Sequence, residues 1–321
     1  MRSKLYFFSA KHVATLMACI ALVGVTEASL AQQNNGSDSQ NNKAKSTTNS
    51  KKTDSKPAPS SKAKPKPEVV TSGALKSHVV YVQDLANSNV LLSKNEDEVR
   101  PIASVTKLMT AIIVVDAKQP MSEMIEVTQD DVDKLKHSRS RLPVGTKLTR
   151  GDMLHLALMS SENRAASALA RYYPGGTSAL VLAMNTKAQQ LGMRQSRFVE
   201  PTGLSSANVS TPRDLVKMMQ AAMQRPAIQE FTTDDQQEIR TVGKTATVFR
   251  NTNSLVTKAD WDIKVSKTGF INEAGQCLVM IARINNRDTA IVLLDAIGRG
   301  TRVADAIRIR QLMQRQELAA L

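Results

Sequence analysis

From Leu108 to Val115 the chain is apolar at every position except Thr110. A run this dense cannot be the one-sided stripe of a surface helix, so the helix it predicts passes through the middle of a folded domain. The stretch that opens it, Pro101-Ile-Ala-Ser-Val-Thr-Lys-Leu-Met-Thr110, puts Ser104 and Lys107 at the mouth of that helix. Three residues apart on a helix, the two share a face, close enough for the lysine amine to reach the serine hydroxyl. Unpaired amide N–H groups at a helix start carry partial positive charge and would stabilise an oxyanion beside Ser104. That arrangement suits a nucleophile and its base. The bland alternative is a serine cap with a solvated first-turn lysine. Ser61 and Lys64 repeat the Ser-x-x-Lys spacing, so the pair acquires meaning only from the residues that accompany it.

The first thirty-one residues read as a cleavable leader. Arg2, Lys4 and Lys11 make a basic start, Val13 to Val25 an apolar run broken only by Thr15 and Gly24, and Ser29-Leu30-Ala31 a small-x-small ending. This is the pattern of a secretory signal peptide spanning 1–31, which implies export to the periplasm. Residues 32–68 are Gln, Asn, Ser, Thr, Lys, Pro and Ala with almost no large apolar side chain. Such a segment cannot bury enough surface to offset its ordering entropy and is expected to be a disordered linker. It carries a charge of +5 and the leader +2, leaving +7 of the chain's +14 for residues 69–321, the expected catalytic domain. Half the basicity is therefore not a property of the fold. With aromatic residues at 3% and no recognition motif, nucleic acid is excluded as the partner; the linker lysines suit a loose attraction to an anionic envelope polymer. After cleavage only Cys277 remains, inside Cys277-Leu-Val-Met-Ile281, so it is expected to be a buried small hydrophobe.

In the folded part, His78–Asp84 and Asn89–Ser93 are β-rich runs around a turn at 85–88, and Trp261–Phe270, Gln276–Ile284 and Thr289–Asp295 are three late strands, the last two joined by a hairpin over 285–288. Helices are expected over Arg150–Tyr172, Ser178–Leu191, Thr211–Met223 and Thr301–Gln316. A lone hairpin is not stable, so the early strands must join the late ones. The fold class is α/β of the α+β kind: a five-stranded antiparallel sheet covered by the Ser104 helix and the closing helix, with an adjoining mostly helical lobe. The cleft between sheet and lobe is the natural place for a site.

Two further short motifs follow the first in order: Ser161-Glu-Asn163 in the helical region and Lys267-Thr-Gly269 on a late strand. Here the chain resembles the penicillin-binding protein and serine β-lactamase superfamily, which carries Ser-x-x-Lys, Ser-x-Asn and Lys-Thr-Gly in this order. The flanks Arg100–Thr110, Gly151–Ala165 and Phe198-Val-Glu-Pro-Thr-Gly-Leu204 resemble the low-molecular-mass D-alanyl-D-alanine peptidases.

The resemblance implies roles. Ser104 would attack a D-alanyl carbonyl and form an acyl ester, with Lys107 taking its proton; burial and a second ammonium at Lys267 would both push that lysine's pKa down. Ser161 would pass the proton to the leaving amine, and Asn163 would hold Lys107 and the substrate amide. Lys267 and Thr268 would bind the substrate carboxylate, Gly269 would leave room for the substrate against the sheet edge, and the N–H groups of Ser104 and Phe270 would form an oxyanion hole. No metal or other cofactor is called for. The expected partners are peptidoglycan stem peptides and, as covalent inhibitors, β-lactams.

Two departures refine this. Carboxypeptidases of the family usually carry Gly inside the middle motif and a following domain ending in a membrane anchor, whereas here Glu162 stands in the motif and the 52 residues after Gly269 accommodate two strands and a helix. That build resembles the stand-alone endopeptidases that cut peptidoglycan cross-links, and no stable membrane anchor is expected. A β-lactamase of the best-known class would need Asn four residues after its glutamate; Glu200 is followed there by Leu204, so antibiotic hydrolysis is not expected. The rival of another class is a catalytically idle wall-binding protein on the same fold. His155 is expected at the core edge, Lys134, Lys136, Arg139 and Arg141 in a solvated loop, and the closing helix on the sheet with Val303, Ile307 and Met313 inward.

Overall fold

The computed structural model describes residues 75–241 and 246–315. The expected leader and linker, and the first residues of the expected catalytic domain, lie outside the described residues. The elements run β1 (Ser77–Asp84), β2 (Val90–Lys94), β3 (Arg100–Pro101), a short 3-10 turn at Ala103–Val105, α1 (Thr106–Asp116), β4 (Met124–Glu126), β5 (Lys147–Thr149), α2 (Arg150–Met159), α3 (Asn163–Arg171), α4 (Gly176–Gln190), β6 (Val209–Ser210), α5 (Pro212–Met223), α6 (Pro226–Thr233), β7 (Gln236–Ile239), β8 (Thr247–Arg250), β9 (Asp262–Ile271), β10 (Gly275–Ile284), β11 (Arg287–Ala296) and α7 (Thr301–Gln314).

The expected sheet forms, antiparallel, in the order β2-β1-β11-β10-β9. Successive side chains point to opposite faces. Val79, Tyr81, Val279, Ile281, Val292 and Leu294 join the core shared with α1 and the helical lobe. Val80, Val82, Leu278, Met280, Ile291 and Leu293 join a second core under α7. Because both faces are covered, β10 and β11 read as nearly continuous apolar runs rather than as alternating ones. Between them Asn285 and Asn286 both adopt positive φ, 51° and 61°, the geometry of a tight two-residue hairpin turn. The loop is shorter than the four residues expected, and Ile284 already pairs with Arg287.

α1 is buried around its whole circumference from Thr106 to Val114, as its composition requires. The single helix expected over 150–172 is instead two. The Ser160 hydroxyl bonds back to the Leu156 carbonyl at 2.9 Å, the Glu162 N–H reaches the same carbonyl at 3.1 Å, and Ser161 turns to φ 62°. Serines that offer the backbone alternative hydrogen bonds end a helix in this way. α6, the β7–β8 hairpin and the small β3–β6 and β4–β5 pairs had no periodic signal in the sequence.

α7 docks on the sheet as expected, with Met313 buried and Val303 packed against the core beneath it; of the three residues expected inward only Ile307 is not. Asp305, Ala306, Ile309, Leu312 and Met313 are buried, whereas Ile307 is 38% exposed. The inward face also carries a carboxylate, Asp305. It accepts from the Ser77 N–H at 2.7 Å, the Ser77 hydroxyl at 2.8 Å and the Lys76 N–H at 3.3 Å, which pins the closing helix to the first strand. Replacing Asp305 by Ala leaves buried donors unpaired and is expected to cost about 2–3 kcal/mol, read as a lowered urea midpoint with an unchanged slope.

Candidate active site

Ser104 does not cap α1; it sits in the 3-10 turn just before it. Two glycines grip that turn. A Cβ on Gly203, at φ 84°, would lie 1.9 Å from the Ala103 carbonyl oxygen, and one on Gly269 would lie 2.9 Å from the Ile102 oxygen and 3.1 Å from the Ser104 nitrogen. Gly269 is therefore needed so that β9 can pass against the serine turn, a closer reason than the room for substrate expected of it. Ala103 is held at φ 47°, a region that costs a non-glycine residue about 1–2 kcal/mol. The turn is tied down by β3–β6 pairing and by the Ile102 N–H on the Asn208 carbonyl at 3.1 Å.

One turn on, the side chain of Lys107 is buried. Its Nζ lies 3.0 Å from Ser104 Oγ, 2.7 Å from Asn163 Oδ1 and 2.6 Å from the Thr202 carbonyl oxygen. The two carbonyl-type oxygens can only accept, so each takes an N–H. The remaining tetrahedral direction faces Ser104, with a third N–H when the group is charged and with a lone pair when it is neutral.

From the opposite wall β9, the edge strand of the sheet, brings Lys267, Thr268 and Gly269 to the same cleft. Buried Lys267 donates to Ser161 Oγ at 2.9 Å and to the Thr268 carbonyl at 3.0 Å. The Ser161 hydroxyl is thus linked to Lys267 rather than to Lys107, whose proton it was expected to pass on. Thr268 donates to the Thr252 hydroxyl at 2.6 Å. Asn163 accepts from Lys107, as expected, and its amide nitrogen donates to Ser138 Oγ at 2.9 Å. Phe270 closes the group at the cleft rim, 55% exposed. All eight residues singled out in the sequence come together.

Burial pushes the Lys107 ammonium down from 10.5 to about 8, against the opposing pull of Glu200, Glu162 and Asp133. Burial likewise holds Lys267 well below its ordinary value, helped by the charges of Lys107 and Arg302. Each is a group whose charged form is disfavoured by desolvation.

Several neighbours complete the site, and the roles of two of them were not readable. Thr202 acts through its backbone carbonyl, which no side-chain motif reports. Glu200 folds the loop that presents it, accepting from the N–H groups of Thr202 at 2.6 Å and Gly203 at 2.6 Å and from the Asn208 amide at 2.8 Å. Its oxygens are engaged in their own turn, with Asn208 rather than the residue four positions on supplying the amide. Arg302 reaches in from α7 to the carbonyls of Gly269 at 2.8 Å and Cys277 at 3.0 Å. Cys277 is buried, its thiol pushed up to about 11, and His155 stacks on Phe231 at the core edge with its ring centroid 4.6 Å away. Of the loop cations, Lys136 pairs with Glu273 across the cleft and Arg141 with Glu162.

The D-alanyl-D-alanine carboxypeptidase family matches residues 63–298. The chain is 44% identical over 265 residues to a D-alanyl-D-alanine endopeptidase of Pseudomonas aeruginosa, covering 82% of this chain and 86% of the relative. It is 47% identical over 246 residues to one of Escherichia coli, covering 76% and 77%. A Streptomyces DD-transpeptidase has the same fold, with TM-score 0.69 and 26% identity over 78% of this chain and 100% of its own. A penicillin-binding protein of Listeria monocytogenes, solved with cefotaxime bound, has TM-score 0.65 and 25% identity over 74% and 97%. The chain belongs to the D-alanyl-D-alanine carboxypeptidase family and is a serine-type DD-peptidase.

Proposed function

We propose that this enzyme cleaves D-alanyl cross-links between peptidoglycan stems, through an acyl ester on Ser104. The observation that carries the chemistry is the pair of buried lysines, each on its own serine: Lys107 on Ser104 at 3.0 Å and Lys267 on Ser161 at 2.9 Å. Ser104 Oγ bonds to the D-alanyl carbonyl carbon as its proton moves to neutral Lys107. The oxyanion is stabilised by the N–H groups of Ser104 and Phe270. The C–N bond then breaks as the departing amine takes up, by way of Ser161, the proton that Lys107 removed from Ser104; Lys107 is neutral again, and water then hydrolyses the ester. Asn163 orients Lys107; Lys267, Thr268 and Gly269 receive the substrate. β-Lactams present the same carbonyl and stop at the acyl stage.

The preference for cross-links over terminal D-alanine is supported by the two endopeptidase relatives and by Glu162 in the middle motif. The leader pattern supports action in the periplasm, with 32–68 as a spacer and 69–321 as the catalytic domain. Among the described residues no helix is long and apolar enough to cross a membrane.

Fluorescent penicillin is expected to label the wild-type protein covalently and not Ser104→Ala; a folded Ser104→Ala protein that still labels would remove the nucleophile. With purified muropeptides, cross-linked dimers are expected to yield monomers faster than pentapeptide monomers lose D-alanine. Only shortened monomers would make terminal D-alanine removal the main reaction.

A further inference from the structure

Glu162 stands between Ser161 and Asn163, with its side chain 6% exposed at the break between α2 and α3. Its carboxylate accepts from the Ser140 hydroxyl at 2.6 Å, from the Arg141 N–H at 3.4 Å and from Arg141 Nε at 3.3 Å. These donors belong to the loop 133–142, which is folded on Asp133: that carboxylate accepts from the N–H groups of Leu135, Lys136 and Ser138 at 2.8, 3.0 and 2.8 Å. Arg141 continues outward to the Val248 carbonyl at 3.3 Å and lies 4.2 Å from the centroid of the Phe249 ring. The same loop supplies Ser138, whose Oγ accepts from the Asn163 amide nitrogen at 2.9 Å.

We propose that Glu162 is a positioning residue: its carboxylate moors the loop 133–142 to the middle motif and so places Ser138 to fix the Asn163 amide with its oxygen toward Lys107. An amide side chain has an acceptor and a donor end of nearly the same shape. The Ser138 hydroxyl is itself hydrogen-bonded to the Asp133 carboxylate, which only accepts, so Ser138 meets Asn163 as an acceptor, takes its N–H end and leaves the oxygen for Lys107. Without Ser138 the amide is free to turn over and present N–H to the lysine, a donor against a donor, which misdirects the Lys107 lone pair away from Ser104. Glu162 makes no hydrogen bond to Ser104 or Lys107; beyond this chain of contacts it acts on Lys107 only as a nearby negative charge that opposes loss of the ammonium proton.

The inference rests on Ser104 and Lys107 being nucleophile and base. The test is the rate constant for acylation by fluorescent penicillin at saturation, measured beside the reversible binding constant for wild type, Ser138→Ala, Glu162→Gly, Glu162→Gln and the Ser138→Ala/Glu162→Gly pair, with thermal melts as a control of folding. Ser138→Ala and Glu162→Gly are each expected to slow acylation about tenfold with binding changed less than about threefold. The double variant is expected to be no slower than the worse single one, since both act through one amide. Glu162→Gln keeps an oxygen for Ser140 and is expected to retain the rate within about threefold. If Glu162→Gly does not fold, Ser140→Ala cuts the same mooring from the other side and is expected to slow acylation likewise. Wild-type rates in Ser138→Ala, multiplying losses in the pair, or Glu162→Gln as slow as Glu162→Gly would each overturn the role of Glu162 while leaving Ser104 and Lys107 in place. A wild-type protein that takes up no penicillin would instead overturn the nucleophile and base, and this inference with them.

Discussion

The enclosure of the Lys107 amine is the constraint on which the rest of the site depends. An ammonium out of water is costly unless it is paired, and a lysine in such a place sheds its proton more readily. Here the nitrogen meets no carboxylate directly; it meets a hydroxyl, an amide oxygen and a peptide oxygen. These suffice to hold its direction and are too weak to keep it fully charged. A pKa of about 8 leaves roughly a tenth of the groups neutral at pH 7, enough for the proposed base to operate without abandoning its contacts.

Much of the fold serves that enclosure. α1 is apolar all round because it runs between the sheet and the helical lobe, and it carries Lys107 in its first turn. Gly203 and Gly269 let the Glu200 loop and β9 close on the serine turn from two sides. The break between α2 and α3 brings Asn163 within reach from the third. The sheet in turn is closed by α7, whose buried Asp305 holds β1. Residues scattered from 104 to 269 thus meet because the first and last strands share one sheet.

Legibility in the sequence followed the range of the cause. β10, β11 and α1 announce themselves through dense apolar runs, and the three short motifs through residue types at short spacing. The meeting of early and late strands followed from the instability of an isolated hairpin. What escaped was decided by contacts distant in the chain or made by the backbone. The Thr202 carbonyl, the grip of Gly203, the inward face of α7 around Asp305 and the Ser161–Lys267 bond belong to this class. The α2–α3 break lay in between: the Ser160-Ser161 pair was visible, but the apolar periodicity on either side outweighed it.

The ionisation of Lys107 is the most direct point of attack. With lysines labelled at 13Cε, NMR titration of the wild-type protein should show the Lys107 resonance, identified by its loss in a folded Lys107→Met variant, titrating near pH 8. A Lys107 resonance that stays charged until above pH 10, like an exposed lysine, would contradict a buried amine poised as the base for Ser104.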